Sequence, residues 1–133
     1  MEHNSYIKTR YCESDAFGHI NNVSFFIYLE QARVDFFVDT QIFENTQEWS
    51  FVVASAHCDF VKQAYINQNL VVKTWVSRIG RTSVTLKHHI IDQTTEEVIA
   101  IGEVALVSFN FAEQKSQPLD ERMVKKLKDY TQS

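Results

Sequence analysis

Hydrophobic positions change from a helical to an alternating spacing after the first third of the chain. Residues 23–38 contain no Gly or Pro, and Phe25, Leu29, Ala32 and Phe36 follow the spacing i, i+4, i+7, i+11. This spacing predicts a helix, and about 16 residues correspond to a length of about 24 Å. Because apolar residues also occupy most of its other sides, we expect a buried central helix.

Alternating and β-branched positions predict strands over most of the remaining chain. The predicted strands are residues 5–12, 49–61, 70–79, 83–92 and 98–111. Turn candidates at Gly80-Arg81-Thr82 and at residues 93–97 join the last three strands, and such short connections imply antiparallel pairing. Residues 41–48 and 62–69 are predicted connections, and a short amphipathic helix is predicted at residues 119–130.

The last predicted strand carries apolar residues on one face and a glycine inside it. Because side chains alternate along a strand, the residues on that face are Ile99, Ile101, Ala105, Val107, Phe109 and Phe111. Gly102 predicts a bend or a bulge in this strand.

The order of these segments favours an α+β fold. One strand, one long helix and four strands joined mostly by short turns predict an antiparallel sheet of about five strands wrapped around one central helix, which is the hotdog fold. A ferredoxin-like fold is the alternative, but it requires two crossover helices of similar rank, and only one is predicted.

Composition describes an ordinary globular domain. The 133 residues fit one domain, 1–133, with 44% hydrophobic and 23% charged residues. A net charge of -4 without a basic stripe argues against a nucleic-acid partner. The sequence shows no secretory signal or membrane-spanning run, so we expect a cytoplasmic protein without a membrane partner. Cys12 and Cys58 lack metal-ligand spacing and are interpreted as reduced thiols.

A polar loop opens directly into the predicted helix. Asp15, Gly18, His19, Asn21 and Asn22 precede the apolar run. The N-terminus of a helix carries free N–H groups and a partial positive charge, which favour negatively charged groups bound there. An ionisable and amide-rich loop at this position predicts a reaction site.

The same residues resemble a known family. The stretches DAFGHINN at residues 15–22 and YLEQAR at residues 28–33 are similar to the D-x-x-G-H-x-N-N and Y-x-E-x-A-R signature of hotdog thioesterases related to 4-hydroxybenzoyl-CoA thioesterase. The resemblance extends over nearly the whole chain. It implies the hydrolysis of an acyl-CoA thioester, but the same scaffold serves many acyl groups.

The resemblance implies a role for each polar residue of the loop. Asp15 corresponds to the general base or nucleophile, although an Asp in a turn also commonly bonds nearby amides. The backbone N–H of Asn22 is expected to stabilise the carbonyl oxygen, and its side chain to cap the helix. Gly18 is expected to permit a tight turn or close substrate approach. His19 either bonds the substrate or Asp15, or orders the loop, and the structural role is favoured.

Substrate contacts are expected from basic and aromatic residues. CoA carries phosphates, so candidate contacts are Arg81, Arg78, Lys62 and Ser83, of which Arg81 matches a basic position used for CoA in part of the family. The candidates for the acyl pocket are Phe17, Phe26 and Phe51, which could equally fill the core.

Other ionisable residues receive structural interpretations. His57 is expected to be a core or interface residue, and the neighbouring His88 and His89 point to opposite faces of one strand. Glu30 and Arg33 form a predicted i,i+3 ion pair, and Glu30 is the second candidate for acid–base work. No metal or other cofactor is expected.

A sheet of this kind has an exposed edge strand. The resemblance implies a homodimer or homotetramer with the active site at the subunit interface. The rival functions are an acyl-carrier-protein thioesterase and a non-catalytic acyl-binding module; a hotdog dehydratase is disfavoured because its catalytic pair is not recognisable.

Overall fold

The predicted elements are present with small shifts. The computed structural model describes residues 1–43 and 49–132. Its elements are β1 (His3–Lys8), a 3₁₀ helix (Tyr11–Glu13), α1 (Asn22–Asp39), β2 (Phe51–Phe60), β3 (Asn69–Ile79), β4 (Ser83–Asp92), β5 (Val98–Asn110), β6 (Lys115–Ser116) and α2 (Glu121–Lys128). The long helix and the four strands that follow it are confirmed to within two residues. Residues 44–48 of the predicted connection lie outside the described residues.

All the strands belong to one antiparallel sheet. Its order is β1-β3-β4-β5-β2, and β6 pairs with the end of β5. Helix α1 packs against one face of this sheet, which confirms the hotdog fold. Among the described residues, β2 has no strand on its outer side, and residues 53–57 within it are exposed.

The first strand begins and ends earlier than residues 5–12. Tyr11 and Cys12 lie in the 3₁₀ helix instead of the strand. In β1, the polar residues His3 and Ser5 are buried, because they hydrogen-bond to the helix carboxylates Asp39 and Asp35. Side-chain hydrogen bonds to α1 therefore keep two polar residues of this strand buried.

Helix α1 is buried on one side only. Its core stripe consists of Phe25, Tyr28, Leu29, Ala32 and Phe36. The expectation of a helix buried all round is wrong for the single chain, because apolar residues on the opposite side are exposed: Val23, Phe26, Ile27 and Val38. An amphipathic helix would present polar residues there, so this surface is unusual.

Strand β5 is not bulged at Gly102. Gly102 pairs in register with Cys58 of β2 and His88 of β4. A Cβ at this position would lie 2.6 Å from Leu29 Cδ1 of α1. The glycine therefore permits close approach of the helix to the sheet. The inward-facing positions are Gly102, Val104 and Leu106, so the predicted apolar face is the outer face from Ile101 onwards. Ile99 is buried instead, because the pairing with β4 shifts by one residue beside it.

The described residues form two core clusters at opposite ends of α1. The cluster at the helix N-terminus includes Ile20, Phe25 and Ala64. The cluster at the C-terminus is aromatic and is joined by α2; it includes Phe36, Phe37, Phe43 and Leu127, with Trp49 and Phe51 packed against it. The polar loop lies at the first of these ends.

Candidate active site

The polar loop is a small closed hairpin at the start of α1. The Asp15 N–H donates to the His19 carbonyl at 2.7 Å, Ser14 forms a bridge with Ile20, and the Asn21 N–H donates to the Glu13 carbonyl at 2.9 Å. Asp15 pairs with His19, and three residues of chain lead from His19 to the helix start at Asn22, a distance on the order of 10 Å. The hairpin thus brings a carboxylate and a helix N-terminus to one place.

Asp15 organises the turn through one of its carboxylate oxygens. Its Oδ1 accepts the N–H of Phe17 at 2.8 Å and the N–H of His19 at 3.1 Å. The bonding of nearby amides considered from the sequence is therefore present. Oδ2 accepts no hydrogen bond from the described residues, and the side chain is exposed. The second oxygen remains available to a water molecule or a carbonyl carbon.

Gly18 and His19 shape this turn through their backbones. Gly18 has φ +80°, and an added Cβ would contact nothing within 4 Å. A left-handed backbone, and not close packing, explains the glycine. The His19 ring lies edge-on to Tyr65, with ring centres 5.2 Å apart. His19 bonds Asp15 through its own main chain: its carbonyl accepts the Asp15 N–H and its N–H donates to the Asp15 carboxylate, in keeping with the structural interpretation.

The cap of α1 is Asn21, one residue earlier than expected. Its Oδ1 accepts both the N–H and the hydroxyl of Ser24, each at 2.8 Å. The capping role predicted for the Asn22 side chain is therefore wrong. Asn22 is the first helical residue, so its N–H and that of Val23 have no partner within the helix. These two groups are available to an oxygen that carries developing negative charge.

A cleft of about 270 Å³ opens at this helix end. It is lined by Asn22, Phe25, Phe60, Val61, Lys62 and Gln63. Phe26 lies beside the cleft, with its ring centre 6.3 Å from that of Phe60. Phe17 is 84% exposed on the turn and fills no core position. Phe51 instead packs in the aromatic cluster at the other end of α1.

The segment at residues 64–68 holds the loop at both ends. Ile20 donates its N–H to the Ala64 carbonyl at 2.7 Å, and His19 forms a bridge with Tyr65. Before the loop, the Thr9 N–H donates to the Gln68 carbonyl at 3.0 Å. Residues 9–20 are thus closed onto one connection that is distant in sequence.

Three of the predicted CoA contacts lie at the other end of the sheet. Arg78, Arg81 and Ser83 belong to the β3–β4 hairpin, where the Arg81 carbonyl accepts the N–H of Leu119. Strand β3 has 11 residues, so this hairpin lies about 30 Å or more from the loop. Within one chain these three residues therefore do not lie beside Asp15. Lys62 does line the cleft, and Glu97 pairs with its ammonium group.

A buried carboxylate beside the loop was not recognised from the sequence. Glu13 is 7% exposed, and its Oε1 accepts the Tyr28 hydroxyl at 2.7 Å and the Arg10 N–H at 2.7 Å. Its Oε2 accepts the Arg10 guanidinium at 3.0 and 3.2 Å. Burial acts to raise the pKa of Glu13, but these donors outweigh it and lower the pKa. The Y-x-E-x-A-R stretch, which supplies Tyr28, was the available signal.

The remaining histidines lie away from the loop. His57 is exposed on β2, within 2.9 Å of Asp59, so it is not a core residue of the single chain. His88 is buried against α1, and its Nδ1 lies 2.8 Å from the Thr74 hydroxyl. Burial lowers the pKa of His88 to about 3, and the charge of Arg33 contributes. His89 faces the opposite side of β4, as predicted.

Glu30 and Arg33 form only a loose pair. Their closest N and O atoms are 4.0 Å apart. Burial lowers the pKa of the Arg33 guanidinium, while Glu30 is exposed on the helix surface. Within residues 1–43 and 49–132, neither helix is both long and apolar enough to cross a bilayer.

Helix, sheet and loop together define a thioesterase of the hotdog class. A family model described as the thioesterase-like superfamily matches residues 10–127, and the chain belongs to this family. The protein is therefore a thioester hydrolase, and the resemblance read from the signature is confirmed.

The chain is also similar to individual proteins and to a solved structure. Uncharacterized protein YsmA of Bacillus subtilis is 33% identical over 101 residues, 76% of this chain and 68% of the relative. The long-chain acyl-CoA thioesterase FadM of Escherichia coli is 24% identical over 91% of this chain and 93% of its own. A predicted thioesterase from Bacillus stearothermophilus has a similar structure, with a TM-score of 0.91, 28% identity and coverage of 100% and 98%.

Proposed function

We propose that the protein hydrolyses acyl-CoA thioesters to a free acid and CoA. The observation that carries the proposal is the pairing, in one closed hairpin, of the free Oδ2 of Asp15 with the unpartnered N–H groups at the start of α1. Thiolate is a good leaving group, so one carboxylate and one site for negative charge suffice for the reaction. FadM, which is named as a long-chain acyl-CoA thioesterase, supports CoA as the thiol.

In this reaction the thioester oxygen lies at the N-terminus of α1. The N–H of Asn22, with Val23 beside it, donates to the oxygen as charge develops, and the helix dipole adds to this stabilisation. Asp15 Oδ2 either takes a proton from water or attacks the carbonyl carbon directly. Water then supplies the hydroxyl group of the acid, and CoA leaves as the thiol. The cleft beside Phe25 and Phe60 receives the acyl group.

The active enzyme is proposed to be at least a dimer formed through β2. This strand has an open edge, and the exposed apolar residues Val53, Phe60 and Val61 adjoin the exposed side of α1 near Phe26. Two β2 strands paired antiparallel about a twofold axis run in opposite directions. The β3–β4 hairpin of one copy then lies near the polar loop of the other. In this arrangement Arg81 and Arg78 reach the CoA phosphates across the interface.

The first test is thiol release from short, long, branched and aromatic acyl-CoAs by wild type and Asp15→Asn. Asparagine keeps a side-chain oxygen for the turn but has no carboxylate. We expect kcat to fall by about 10²-fold or more, the contribution of a positioned acid–base group. Asp120→Asn is the matched control, because Asp120 Oδ1 also accepts a backbone N–H, that of Met123 at 2.7 Å, and lies at the start of α2 away from the loop. This control should keep its activity.

The outcomes separate the alternatives. Hydrolysis by wild type that is unaffected in Asp15→Asn would assign the chemistry to another group, with Glu30 as the next candidate. A folded wild type that hydrolyses no CoA ester would refute the acyl-CoA proposal and direct the assay to acyl-carrier-protein thioesters. Arg81→Ala should raise KM for acyl-CoA but not for an acyl N-acetylcysteamine thioester, which lacks the CoA phosphates.

A further inference from the structure

Glu13 has an unusual position for an acidic residue. Among the described residues it is the one buried acid, and it lies in the 3₁₀ helix immediately before the polar loop. Buried carboxylates are costly unless several donors satisfy them. Here the two oxygens have separate donors: Tyr28 and the Arg10 N–H on one, and the Arg10 guanidinium on the other. The carboxylate is thereby held in one orientation.

The backbone of the same residue holds the start of the helix. The Glu13 carbonyl accepts the N–H of Asn21 at 2.9 Å and, more weakly, the hydroxyl of Ser24 at 3.4 Å. Asn21 in turn caps α1 through Ser24. A continuous path of hydrogen bonds therefore runs from the Tyr28 hydroxyl, through Glu13, to the residue that precedes the Asn22 N–H.

We propose that Glu13 and Tyr28 are positioning residues, which hold the Asp15 turn and the N-terminus of α1 in the geometry needed for thioester hydrolysis. The inference rests on the proposed function for its catalytic consequence. An apolar pair could fill the same space at no desolvation cost, so packing alone does not account for a buried carboxylate. A charged, directional contact instead sets where the loop lies relative to the second turn of the helix.

Tyr28 is suited to act as the donor. It is 2% exposed, and its ring packs edge-on to Phe25 with centres 5.9 Å apart. Burial and the adjacent Glu13 raise the pKa of Tyr28 above its usual range, so its hydroxyl keeps its proton throughout the assay range. Arg10 remains charged as well, because its bonds to Glu13 raise its pKa. Cys12 and Lys8 are the other ionisable groups near the carboxylate.

The test compares Tyr28→Phe with Tyr130→Phe. Each change removes one hydroxyl from a ring packed edge-on against a phenylalanine of α1; Tyr130 lies 5.1 Å from Phe36 at the opposite end of the helix. We expect kcat of Tyr28→Phe to fall about 10- to 100-fold with KM changed much less, because small misplacements of reacting groups have effects of this size. Tyr130→Phe should retain the wild-type kcat.

A second readout does not depend on activity. Amide hydrogen exchange of Asn21 should become about tenfold faster in Tyr28→Phe, because its acceptor is held less firmly, while amides in β3 and β4 keep their protection. The acid limb of the kcat profile should also move to higher pH, since the loss of a donor raises the pKa of Glu13. A merely less stable but folded enzyme would not show this shift.

Glu13→Gln and Glu13→Ala complete the series. Glutamine keeps an oxygen for the Tyr28 hydroxyl and should retain more activity than alanine. Unchanged Asn21 exchange in Tyr28→Phe would refute the proposal whatever the substrate. Faster exchange with unchanged kcat would also refute it, since the loop would then move without catalytic effect. Faster exchange in a protein whose wild type hydrolyses no thioester would support the link between Tyr28 and the loop and refute the proposed function instead.

Discussion

The N-caps of helices α1 and α2 allow the site to be tested apart from helix stability. Asn21 caps α1 beside the polar loop, and Asp120 caps α2 at the other end of the sheet. Asn21→Ala removes the acceptor of two bonds to Ser24, whereas Asp120→Ala removes the acceptor of the Met123 N–H at 2.7 Å. Both substitutions delete a cap, but only the first changes the helix end that faces the cleft.

The expected losses of stability are similar. Replacing an N-cap by alanine costs about 1 kcal/mol. For Asn21→Ala, the buried Ser24 hydroxyl keeps only its bond to the Glu13 carbonyl at 3.4 Å, which adds about 0.5–1 kcal/mol. For Asp120→Ala, the loss of a negative charge at a helix N-terminus adds about 0.3–1 kcal/mol. Each variant should therefore lose about 1–2 kcal/mol, and its Tm should fall by about 3–10 °C.

The expected effects on activity differ. Deleting an oxyanion donor outright costs about 10²–10³ in kcat, so displacing the Asn22 N–H should cost part of that, about 10- to 100-fold. Urea unfolding of both variants and of wild type gives the stabilities, and thiol release from an acyl-CoA at a temperature where all are folded gives kcat. Equal kcat in the two variants, at whatever level, would refute the placement of the reaction at the start of α1.

Three further changes test other features. Gly102→Ala should lower the free energy of unfolding by about 1–3 kcal/mol, because its Cβ would lie 2.6 Å from Leu29 Cδ1. Adding Leu29→Val should restore much of this loss in thermal unfolding. Additive effects of the two substitutions would contradict the contact. Gly18→Ala should lower the free energy of unfolding by about 1–2 kcal/mol through its φ of +80° alone, since an added Cβ would have no atom within 4 Å. An unchanged Tm would contradict this backbone strain. The pKa of His88 is about 3 in the folded chain and near 6.5 in the unfolded chain. The neutral ring therefore favours the folded state, and the free energy of unfolding decreases as the pH is lowered from 6.5 to 3. Wild type should therefore lose up to about 1.4 kcal/mol per pH unit from this group below pH 6.5, and His88→Gln should lose less; identical acid unfolding would contradict a buried neutral ring.

Much of the fold could be predicted because its signals are periodic. The spacing of Phe25, Leu29, Ala32 and Phe36 and the alternation in β4 hold over long segments, so tertiary contacts reinforce the local pattern. The N-terminal strand was less predictable. The burial of His3 and Ser5 depends on Asp39 and Asp35, which lie 36 and 30 residues further along the chain, and no local sequence pattern indicates such a pairing.

The site was predicted in outline and missed in detail. Asn21 and Asn22 are equally good caps by residue type, and the bonds of Ile20 to Ala64 and of Asn21 to Glu13 decide which one precedes the helix. Predicting that Arg81 lies at the other end of the sheet from Asp15 requires the direction of each strand, and the signature does not contain this information. The exposed apolar side of α1 shows the same limit: a pattern identifies apolar residues but not which surface covers them.

The closure of the loop onto residues 64–68 has a consequence for how the enzyme fails on heating. Ile20 and Thr9 reach that connection over some 44 and 59 residues of chain, and the linking bonds lie outside the ladders of the sheet although the side chains of Ile20 and Ala64 are buried. Segments held by isolated bonds open with less free energy than the central strands do. Catalysis should therefore disappear on warming before circular dichroism registers any loss of helix or strand, and it should return on cooling as long as the sheet has stayed intact.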